Sequence, residues 1–221
     1  AEAIELLGQH DNAMFLAGGQ SLMPMLNMRF VLPDHLIDLN RVDELSYIRE
    51  GADGGIEIGA MTRQRDIEIS DAVRRRCPLM AEAIGHVGHR QTRNRGTLGG
   101  SLCHLDPAAE LVTVAAPLDA TIEIAGPGGT REVAAADFPV TYMTPAIEAG
   151  ELLTAVRFAP WAERHGHAFV EFARRHGDFA IVSAAALLEI DGERRIRRAA
   201  LTIGGIGPAP VRVRDAEDTL T

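Results

Sequence analysis

Two glycine-rich stretches decide how this chain is interpreted: AGGQSL at residues 17–22 and TLGGSLCH at residues 97–104. Each lies beside an apolar run and combines its glycines with small hydroxyl or amide side chains. Glycine lets the backbone come close to a phosphate, and successive backbone N–H groups form anion-binding concavities. Neither stretch has the spacing of a Rossmann or P-loop motif. Together they predict a ligand with a pyrophosphate, held between two lobes of the fold.

Length and charge restrict the class of protein. With 221 residues, of which 46% are hydrophobic, the chain can bury the core of one large domain or two small ones. No apolar run reaches the roughly 18 residues of a membrane span, and no secretory signal pattern is present. These features predict a soluble, cytoplasmic protein. The net charge of -9 argues against a nucleic-acid partner, because phosphate backbones are bound by an excess of basic side chains.

The basic residues and the cysteines exclude several chemistries. All 22 basic residues are arginine, so a lysine Schiff base, a lysine general base and a P-loop lysine are excluded. Arginine can still bind anions through its planar fork. The two cysteines, Cys77 and Cys103, are too few for an iron–sulfur cluster or a structural zinc site, and any such cluster must belong to another chain. The absence of a disulfide framework fits a reducing compartment.

Hydrophobic periodicity and turn residues predict the elements of the first two thirds of the chain. Ser21 is expected to cap the helix that follows the first glycine stretch. The predicted helices cover residues 1–8, 22–28, 65–73 and 78–87, and a further helix starts at Asp106-Pro107 and runs through Glu110 toward residue 115. The predicted strands are residues 13–17, 35–39 and 56–58, with a hairpin in residues 119–134 around the turn at 126–129.

A composition shift at residues 160–166 predicts a domain boundary. Beyond it, strands are expected at residues 167–173, 179–190 and 195–204, in antiparallel order because the connections are short. Residues 210–221 form a polar, potentially helical piece that has nothing to pack against in the remaining sequence, as if a domain were cut short.

Four stretches resemble one family, the FAD-carrying medium subunit of the molybdenum hydroxylases, the carbon monoxide dehydrogenase and xanthine dehydrogenase group. The stretches are AGGQSLMPMLNMR (17–29), GTLGGSLCHLDPAAE (96–110), ARRHGDFAIV (173–182) and LTIGGIGPAPVR (201–212). The resemblance covers nearly the whole chain. It implies that a few residues are missing before Ala1 and that the C-terminal domain is truncated.

The resemblance implies an α+β fold of the vanillyl-alcohol oxidase and p-cresol methylhydroxylase type. Two α/β lobes, residues 1–50 and 51–163, would hold FAD between them, and residues 164–221 would start a C-terminal α+β domain with an antiparallel sheet. One departure from the family is Leu105, at a position where a smaller residue is common. We expect this leucine to reshape the second stretch slightly.

The resemblance also assigns cofactor-binding residues but no catalytic residue and no metal ligand. Pyrophosphate contacts from N–H and O–H groups are implied for Leu16, Ala17, Gly18, Gly19, Gln20, Ser21, Leu22, Met23, Thr97, Gly100 and Ser101. Residues implied to lie near the cofactor are Cys103, His104, Ala109, Glu110, Asp178 and Phe179. Glu110 would accept a ribose or adenine hydrogen bond, and Phe179 would cover a face of the flavin ring.

The function implied by the resemblance is electron transfer in a heterotrimer that is itself expected to dimerise. Electrons would reach FAD from two [2Fe-2S] clusters on a small subunit, after substrate oxidation at the molybdenum cofactor of a large subunit, and leave to an external acceptor. Two alternatives stay open at this point. One is a self-contained flavin oxidoreductase of the same superfamily, and the other is a non-catalytic nucleotide-binding or assembly module.

The remaining motifs give weaker indications of function. The sequence GIG at residues 205–207 imitates a Rossmann turn, but prolines follow where that motif requires a helix, so a plain turn is predicted. A metal site could be assembled in principle from His86, His89, His104 and Asp106, but we do not expect one, since isolated histidines are usually surface residues. The basic run of Arg90, Arg93 and Arg95 is interpreted either as a solvated face or as a contact with an anion or a partner chain.

Overall fold

A computed structural model describes residues 1–163 and 165–221. The N-terminal part contains α1 (Glu2–Gln9), β1 (Ala13–Leu16), α2 (Leu22–Asn27) and β2 (His35–Asp38). Strands β1 and β2 are parallel, with Ala13 opposite His35. This confirms the predicted succession of a strand, a glycine stretch and a helix. Ser21 stands at the start of α2, but its side chain makes no capping hydrogen bond, so the predicted cap is wrong.

The central part is built on a five-stranded antiparallel sheet. Its strands are β3 (Ile48–Glu50), β4 (Ile56–Gly59), β5 (Thr121–Gly126), β6 (Gly129–Ala134) and β9 (Leu152–Phe158), in the order β3-β4-β9-β5-β6. The predicted hairpin is confirmed as β5 and β6, joined by Pro127 and Gly128. Strand β3 belongs to this sheet, which leads us to propose a lobe boundary ahead of residue 48 rather than at residue 50.

Six short helices and one small hairpin accompany this sheet. The helices are α3 (Gln64–Ile69), α4 (Asp71–Arg76), α5 (Pro78–Ala83), α6 (Arg90–Arg95), α7 (Leu98–His104) and α8 (Glu110–Ala115). The hairpin pairs β7 (Pro139–Thr141) with β8 (Thr144–Pro145). The core between helices and sheet contains fully buried side chains from both layers, among them Ile58, Ile67, Leu79, Met80, Leu102, Leu111, Ile122 and Phe138.

Three predicted helices differ from the structure. The helix expected over residues 65–73 is two helices, because Ser70 starts α4 with its hydroxyl accepting the N–H of Val73 at 3.3 Å. The helix expected over residues 78–87 ends at Ala83. Asp106 does not cap a helix; its carboxylate accepts the N–H of Ala108 in a turn, and α8 starts only at Glu110.

The C-terminal part is a four-stranded antiparallel sheet, as predicted. Its order is β10 (Gly166–Phe172), β11 (Val182–Ile190), β12 (Ile196–Gly204) and β13 (Val211–Arg212). Strand β11 begins at Val182 instead of residue 179. The sheet packs on α5 and α8, where the N–H of Phe169 donates to Glu82 at 3.0 Å. The predicted boundary at residues 160–166 includes residue 164, which lies outside the described residues.

The last helix, α9 (Arg214–Leu220), packs against β12. Its buried Glu217 accepts hydrogen bonds from the N–H of Leu201 at 2.7 Å and from Arg212 Nε at 2.8 Å. The prediction that residues 210–221 have nothing to pack against is therefore wrong. Within residues 1–163 and 165–221, no helix is both long enough and apolar enough to span a membrane.

Candidate functional site

The two glycine stretches meet in the fold. A Cβ added to Gly18 would lie 2.2 Å from the carbonyl oxygen of Arg95 and 2.8 Å from the Cα of Gly96. A Cβ added to Gly100 would lie 3.6 Å from the Cβ of Ala17. Residues about eighty positions apart are thus in direct backbone contact, and only glycine permits the approach at Gly18. The predicted juxtaposition of the two stretches is confirmed.

Five carbonyl groups of residues 16–21 accept hydrogen bonds from other groups of the protein. The five bonds, with their N···O distances, are Leu39 N to Leu16 O, 3.0 Å; Asn40 Nδ2 to Ala17 O, 3.1 Å; Gln20 Nε2 to Gly18 O, 3.2 Å; Met23 N to Gly19 O, 3.1 Å; and Met25 N to Ser21 O, 3.2 Å. These bonds hold the carbonyl oxygens of Leu16, Ala17, Gly18, Gly19 and Ser21 in place.

The peptide N–H groups of the same stretch are free. Those of Gly18, Gly19, Gln20 and Ser21 donate to no atom of residues 1–163 or 165–221. Gly19 has φ +73°, the left-handed region, which reverses the peptide direction between its neighbours. Successive unpaired N–H groups around a left-handed residue form a concavity that favours an anion.

The second stretch is a helix and not a loop, and its N–H groups are engaged. The N–H of Leu98 donates to Thr62 O at 3.2 Å, and the N–H of Gly99 donates to Ala60 O at 2.8 Å. Thr97 caps α7: its hydroxyl accepts the N–H of Gly100 at 3.1 Å, and its carbonyl accepts the N–H of Ser101 at 3.2 Å. The N–H groups of residues 98–101 are therefore not available to a ligand, and the polar groups that this part of the stretch retains are the hydroxyls of Thr97 and Ser101.

Three titratable side chains follow in the chain, Cys103 and His104 at the end of α7 and Glu110 at the start of α8. Burial raises the pKa of the Cys103 thiol to about 12, so this cysteine is not a thiolate. Burial lowers the pKa of His104 against the opposing charge of Asp106. Glu110, at the start of α8, is only 6% exposed. Burial, helped by the charges of Glu171 and Asp106, raises the pKa of its carboxyl to about 7. Glu110 can thus donate as well as accept a hydrogen bond near neutral pH.

Asp178 and Phe179 lie in the connection between β10 and β11. Gly177 has φ +86°, and a Cβ added to it would lie 2.4 Å from Cε1 of His89, so this connection rests on the residue that precedes α6. Asp178 forms an ion pair with Arg175 at 3.2 Å. The Phe179 ring is 68% exposed and thus free to contact a flat ligand.

Comparison with known proteins identifies the family. Residues 1–161 match the model of the FAD binding domain in molybdopterin dehydrogenase, and residues 167–221 match that of the CO dehydrogenase flavoprotein C-terminal domain. The chain belongs to this FAD-binding family of molybdenum hydroxylase subunits. The resemblance seen in the sequence is confirmed, and so is the mixed α and β architecture with its antiparallel C-terminal sheet.

Relatives of this flavin subunit act on diverse compounds. The 6-hydroxypseudooxynicotine dehydrogenase complex subunit alpha of Paenarthrobacter nicotinovorans is 40% identical over 95% of this chain and 71% of that protein. Carbon monoxide dehydrogenase from Hydrogenophaga pseudoflava superposes with a TM-score of 0.95 at 36% identity, over 99% of this chain and 76% of that chain. Quinoline 2-oxidoreductase from Pseudomonas putida 86 superposes with a TM-score of 0.94 at 39% identity, over 100% of this chain and 76% of that chain.

The other motifs of this flavin subunit have structural explanations. Arg93 is buried, and its guanidinium donates to both carboxylate oxygens of Glu68, at 2.9 and 3.1 Å, which splits the basic run. The turn predicted at residues 205–207 is confirmed, with the N–H of Gly205 donating to Pro107 O at 2.9 Å. In the part of the chain that the structure describes, no three His, Cys, Asp or Glu side chains are placed to hold a metal ion.

Sequence reasoning missed two residues of this region, Asn40 and Arg63. Asn40 holds the carbonyl of Ala17, and Arg63 contacts both Asn40 and the carbonyl of Arg95. A single polar residue after a strand gives no signal in one sequence, because the partners are 23 and 32 positions away. Only the fold brings these groups together.

Proposed function

We propose that this chain carries FAD in a molybdenum hydroxylase complex and binds the FAD pyrophosphate at the first glycine stretch. The observation that carries the proposal is the stretch itself, where every carbonyl named above is held and the N–H groups of residues 18–21 are unpaired. Two phosphates need several donors, and no lysine exists to supply them. Oriented backbone N–H groups meet that need, so the residues present fit the group.

The surrounding residues complete the proposed site. Thr97 and Ser101 would contribute hydroxyl groups, and Gly100 brings the second stretch next to Ala17, since a Cβ at Gly100 would lie 3.6 Å from the Ala17 Cβ. Leu16 and Met23 form a wall around Gly19, since a Cβ there would lie 3.4 and 3.1 Å from their side chains. The other proposed contacts are those of Gln20 and Leu22 with the phosphates and of Cys103, His104 and Ala109 with the remainder of the cofactor.

The adenosine and flavin ends are assigned to two further elements. Glu110, whose pKa of about 7 leaves it partly protonated at neutral pH, pairs with a ribose or adenine group and changes between donor and acceptor as needed. Phe179 covers a face of the flavin ring with its exposed side chain, and Asp178 is the neighbouring polar contact. The protein's task is to hold the ring, exclude water from one face and leave an edge open to an acceptor.

The bound flavin would supply an electron carrier between one-electron and two-electron partners. We propose that the electrons come from [2Fe-2S] clusters on a small subunit, which receives them from a large subunit with the molybdenum cofactor. Relatives named as one subunit or the medium chain of a dehydrogenase support this arrangement. The chain's own thiols, Cys77 and Cys103, both have pKa values raised to about 12 by burial and do not suit cluster ligation. Two free cysteines also support a reducing, cytoplasmic location.

A ligand series tests the proposed function. The chain is titrated with FAD and with riboflavin, which has the same ring but no phosphate, and binding is followed by flavin fluorescence. We expect FAD to bind at least about a hundredfold more tightly, about 2.7 kcal/mol, because riboflavin cannot use the N–H groups of residues 18–21. Equal affinities, or no uptake of FAD by folded protein, would contradict the proposal.

A further inference from the structure

A chain of side-chain hydrogen bonds runs between the two glycine stretches, on residues that the family comparison does not assign. Asn40 Nδ2 donates to the carbonyl of Ala17 at 3.1 Å. The guanidinium of Arg63 donates from Nη2 to Asn40 Oδ1 and from Nη1 to the carbonyl of Arg95, both at 2.5 Å. That Arg95 carbonyl is the atom against which Gly18 packs. One guanidinium thus joins the carbonyl of Arg95, at the end of α6 just before the second stretch, to Asn40, which holds the Ala17 carbonyl of the first stretch.

From this geometry we infer that Arg63 and Asn40 are positioning residues for the phosphate-binding N–H groups, an inference that rests on the proposed FAD-binding function. In a trans peptide the C=O and the following N–H point in opposite directions. Holding the Ala17 oxygen on Asn40 therefore directs the N–H of Gly18 to the other side. With Asn40 absent, the same peptide can turn its oxygen toward a phosphate, and the partial negative charge of that oxygen then repels the phosphate.

Arg63 fixes a carbonyl in the same way, that of Arg95, which lies just before the second stretch. The Arg95 carbonyl lies next to Gly18, and the positive guanidinium binds this oxygen on one side. The main chain at Arg63 is fixed on the same segment, since Arg63 forms a β-bridge with Thr97 and the N–H of Gln64 donates to Gly96 O at 2.9 Å. The side chain therefore starts from an anchored backbone, which limits the entropy lost when its two bonds form.

Asn40 is itself held in one orientation. Its backbone N–H donates to Asp38 Oδ1 at 2.9 Å, and its side-chain Nδ2 donates to the same oxygen. Both Asn40 and Arg63 are half-buried, and the bonds from Asn40 to Ala17 and from Arg63 to Asn40 are partly shielded from water, while the bond from Arg63 to Arg95 is exposed. The planar fork of arginine reaches two acceptors at fixed angles, whereas a lysine ammonium is a single point of charge. The structure therefore requires arginine, and not merely a cation, at residue 63.

Arg63→Lys and Asn40→Asp test the inference, each measured for affinity toward FAD, ADP and riboflavin and for the unfolding midpoint. Asn40→Asp keeps an oxygen for Arg63 but removes the donor to Ala17. The matched control is Arg74→Lys, in an exposed ion pair with Asp71 at 3.1 Å. We expect each test variant to bind FAD and ADP about tenfold more weakly, equivalent to about 1.4 kcal/mol, with riboflavin and the control unchanged.

The outcomes separate the two hypotheses. A loss confined to the two pyrophosphate ligands supports the positioning role. Unchanged FAD affinity in folded variants overturns it, and so does an equal loss for riboflavin, which indicates general loosening. If Arg63→Lys does not fold, Asn40→Asp decides alone by the same criteria. Failure of the unmodified chain to bind FAD overturns the proposed function, and the positioning role with it, whereas normal binding by all variants overturns only the positioning role.

Discussion

The two glycine stretches look alike in sequence but use their glycines differently. In the first, Gly19 takes a left-handed conformation and the N–H groups of residues 18–21 remain free. In the second, Gly99 and Gly100 lie inside α7, and their N–H groups donate to Ala60 O and to the Thr97 hydroxyl. The first stretch thus presents donors, whereas the second presents a close-packed wall.

This difference shows that a glycine in the sequence indicates a close contact of the backbone, but not whether the contact is with the protein or with a ligand. At Gly99 the neighbour is the protein: an added Cβ would lie 2.7 Å from the Cβ of Ala60. At Gly18 the neighbour is also the protein, the Arg95 carbonyl, yet the N–H of Gly18 donates to no atom of residues 1–163 or 165–221. The distinction between a packing glycine and a binding glycine depends on where the remaining N–H groups point.

The largest expected effect is that of Gly18→Ala. The new methyl group would lie 2.2 Å from the Arg95 carbonyl oxygen and force the two stretches apart. We expect FAD affinity to fall by at least about a hundredfold, about 2.7 kcal/mol, and stability by about 1 to 3 kcal/mol. Equilibrium dialysis with FAD and urea unfolding measure the two effects. Gly128→Ala is the control, since a Cβ there meets no atom within 4 Å. FAD binding by Gly18→Ala as tight as that of the control would remove the first stretch from the site.

Next in size is a pH effect of Glu110, the buried carboxyl that follows the second stretch. Because its pKa in the fold is about 7, above the ordinary 4.5, the unfolded chain loses this proton first as the pH rises. As the pH rises through the window between these two values, Glu110 therefore lowers stability by about 3 kcal/mol in total, and it adds no further loss above that window.

Glu110→Gln removes this titration. Urea unfolding from about pH 5 to about pH 8 should show a smaller loss of stability for Glu110→Gln than for the unmodified chain. Glu123→Gln serves as a control outside this cluster, on β5. Parallel pH profiles for Glu110→Gln and the unmodified chain would show that the fold does not raise the pKa of this carboxyl.

Gly99→Ala tests whether the glycines of the second stretch serve packing instead of FAD binding. The added methyl group overlaps Ala60, so we expect a stability loss of about 1 to 2 kcal/mol, reduced by the better helix propensity of alanine. FAD affinity of the folded protein should change by less than about threefold, about 0.7 kcal/mol. Thermal unfolding and FAD titration of the same sample measure both. A loss of FAD binding as large as that of Gly18→Ala would show that the two stretches do not differ in this way.

The smallest expected effect is that of Thr97→Ala, which removes the N-terminal cap of α7. The N–H of Gly100 loses its acceptor, at a cost of about 1 kcal/mol in the free energy of unfolding. Thr97→Ser keeps the hydroxyl and should restore most of the stability. Urea titration of the three proteins gives the comparison. If serine is as destabilising as alanine, the methyl group of Thr97 and not its hydroxyl stabilises the helix.

Much of the fold could be predicted from local patterns. The strand, turn and helix of residues 13–27 and the hairpin at β5 and β6 follow from apolar alternation and turn residues. The break at Ser70 and the late start of α8 at Glu110 were missed, because a serine or aspartate can cap a helix or close a turn with similar local energy. Packing of the core decides between these alternatives.

For the candidate site, too, one part could be predicted from the sequence and another part depends on the fold. The sequence by itself determined where the backbone can approach closely, since Gly18, Gly19, Gly99 and Gly100 mark those positions whatever the fold. It also determined, through the lack of lysine, that donors to a diphosphate have to be N–H groups, hydroxyls or arginines.

Only the tertiary structure decided which donors are left for a ligand. Ala60 and Thr62 accept hydrogen bonds from N–H groups of the second stretch, while Asn40, itself held by Arg63, binds the Ala17 carbonyl of the first stretch and leaves the N–H groups of residues 18–21 free. The physical reason is that a peptide group is available to a ligand only when no protein partner reaches it, and those partners come from residues far along the chain.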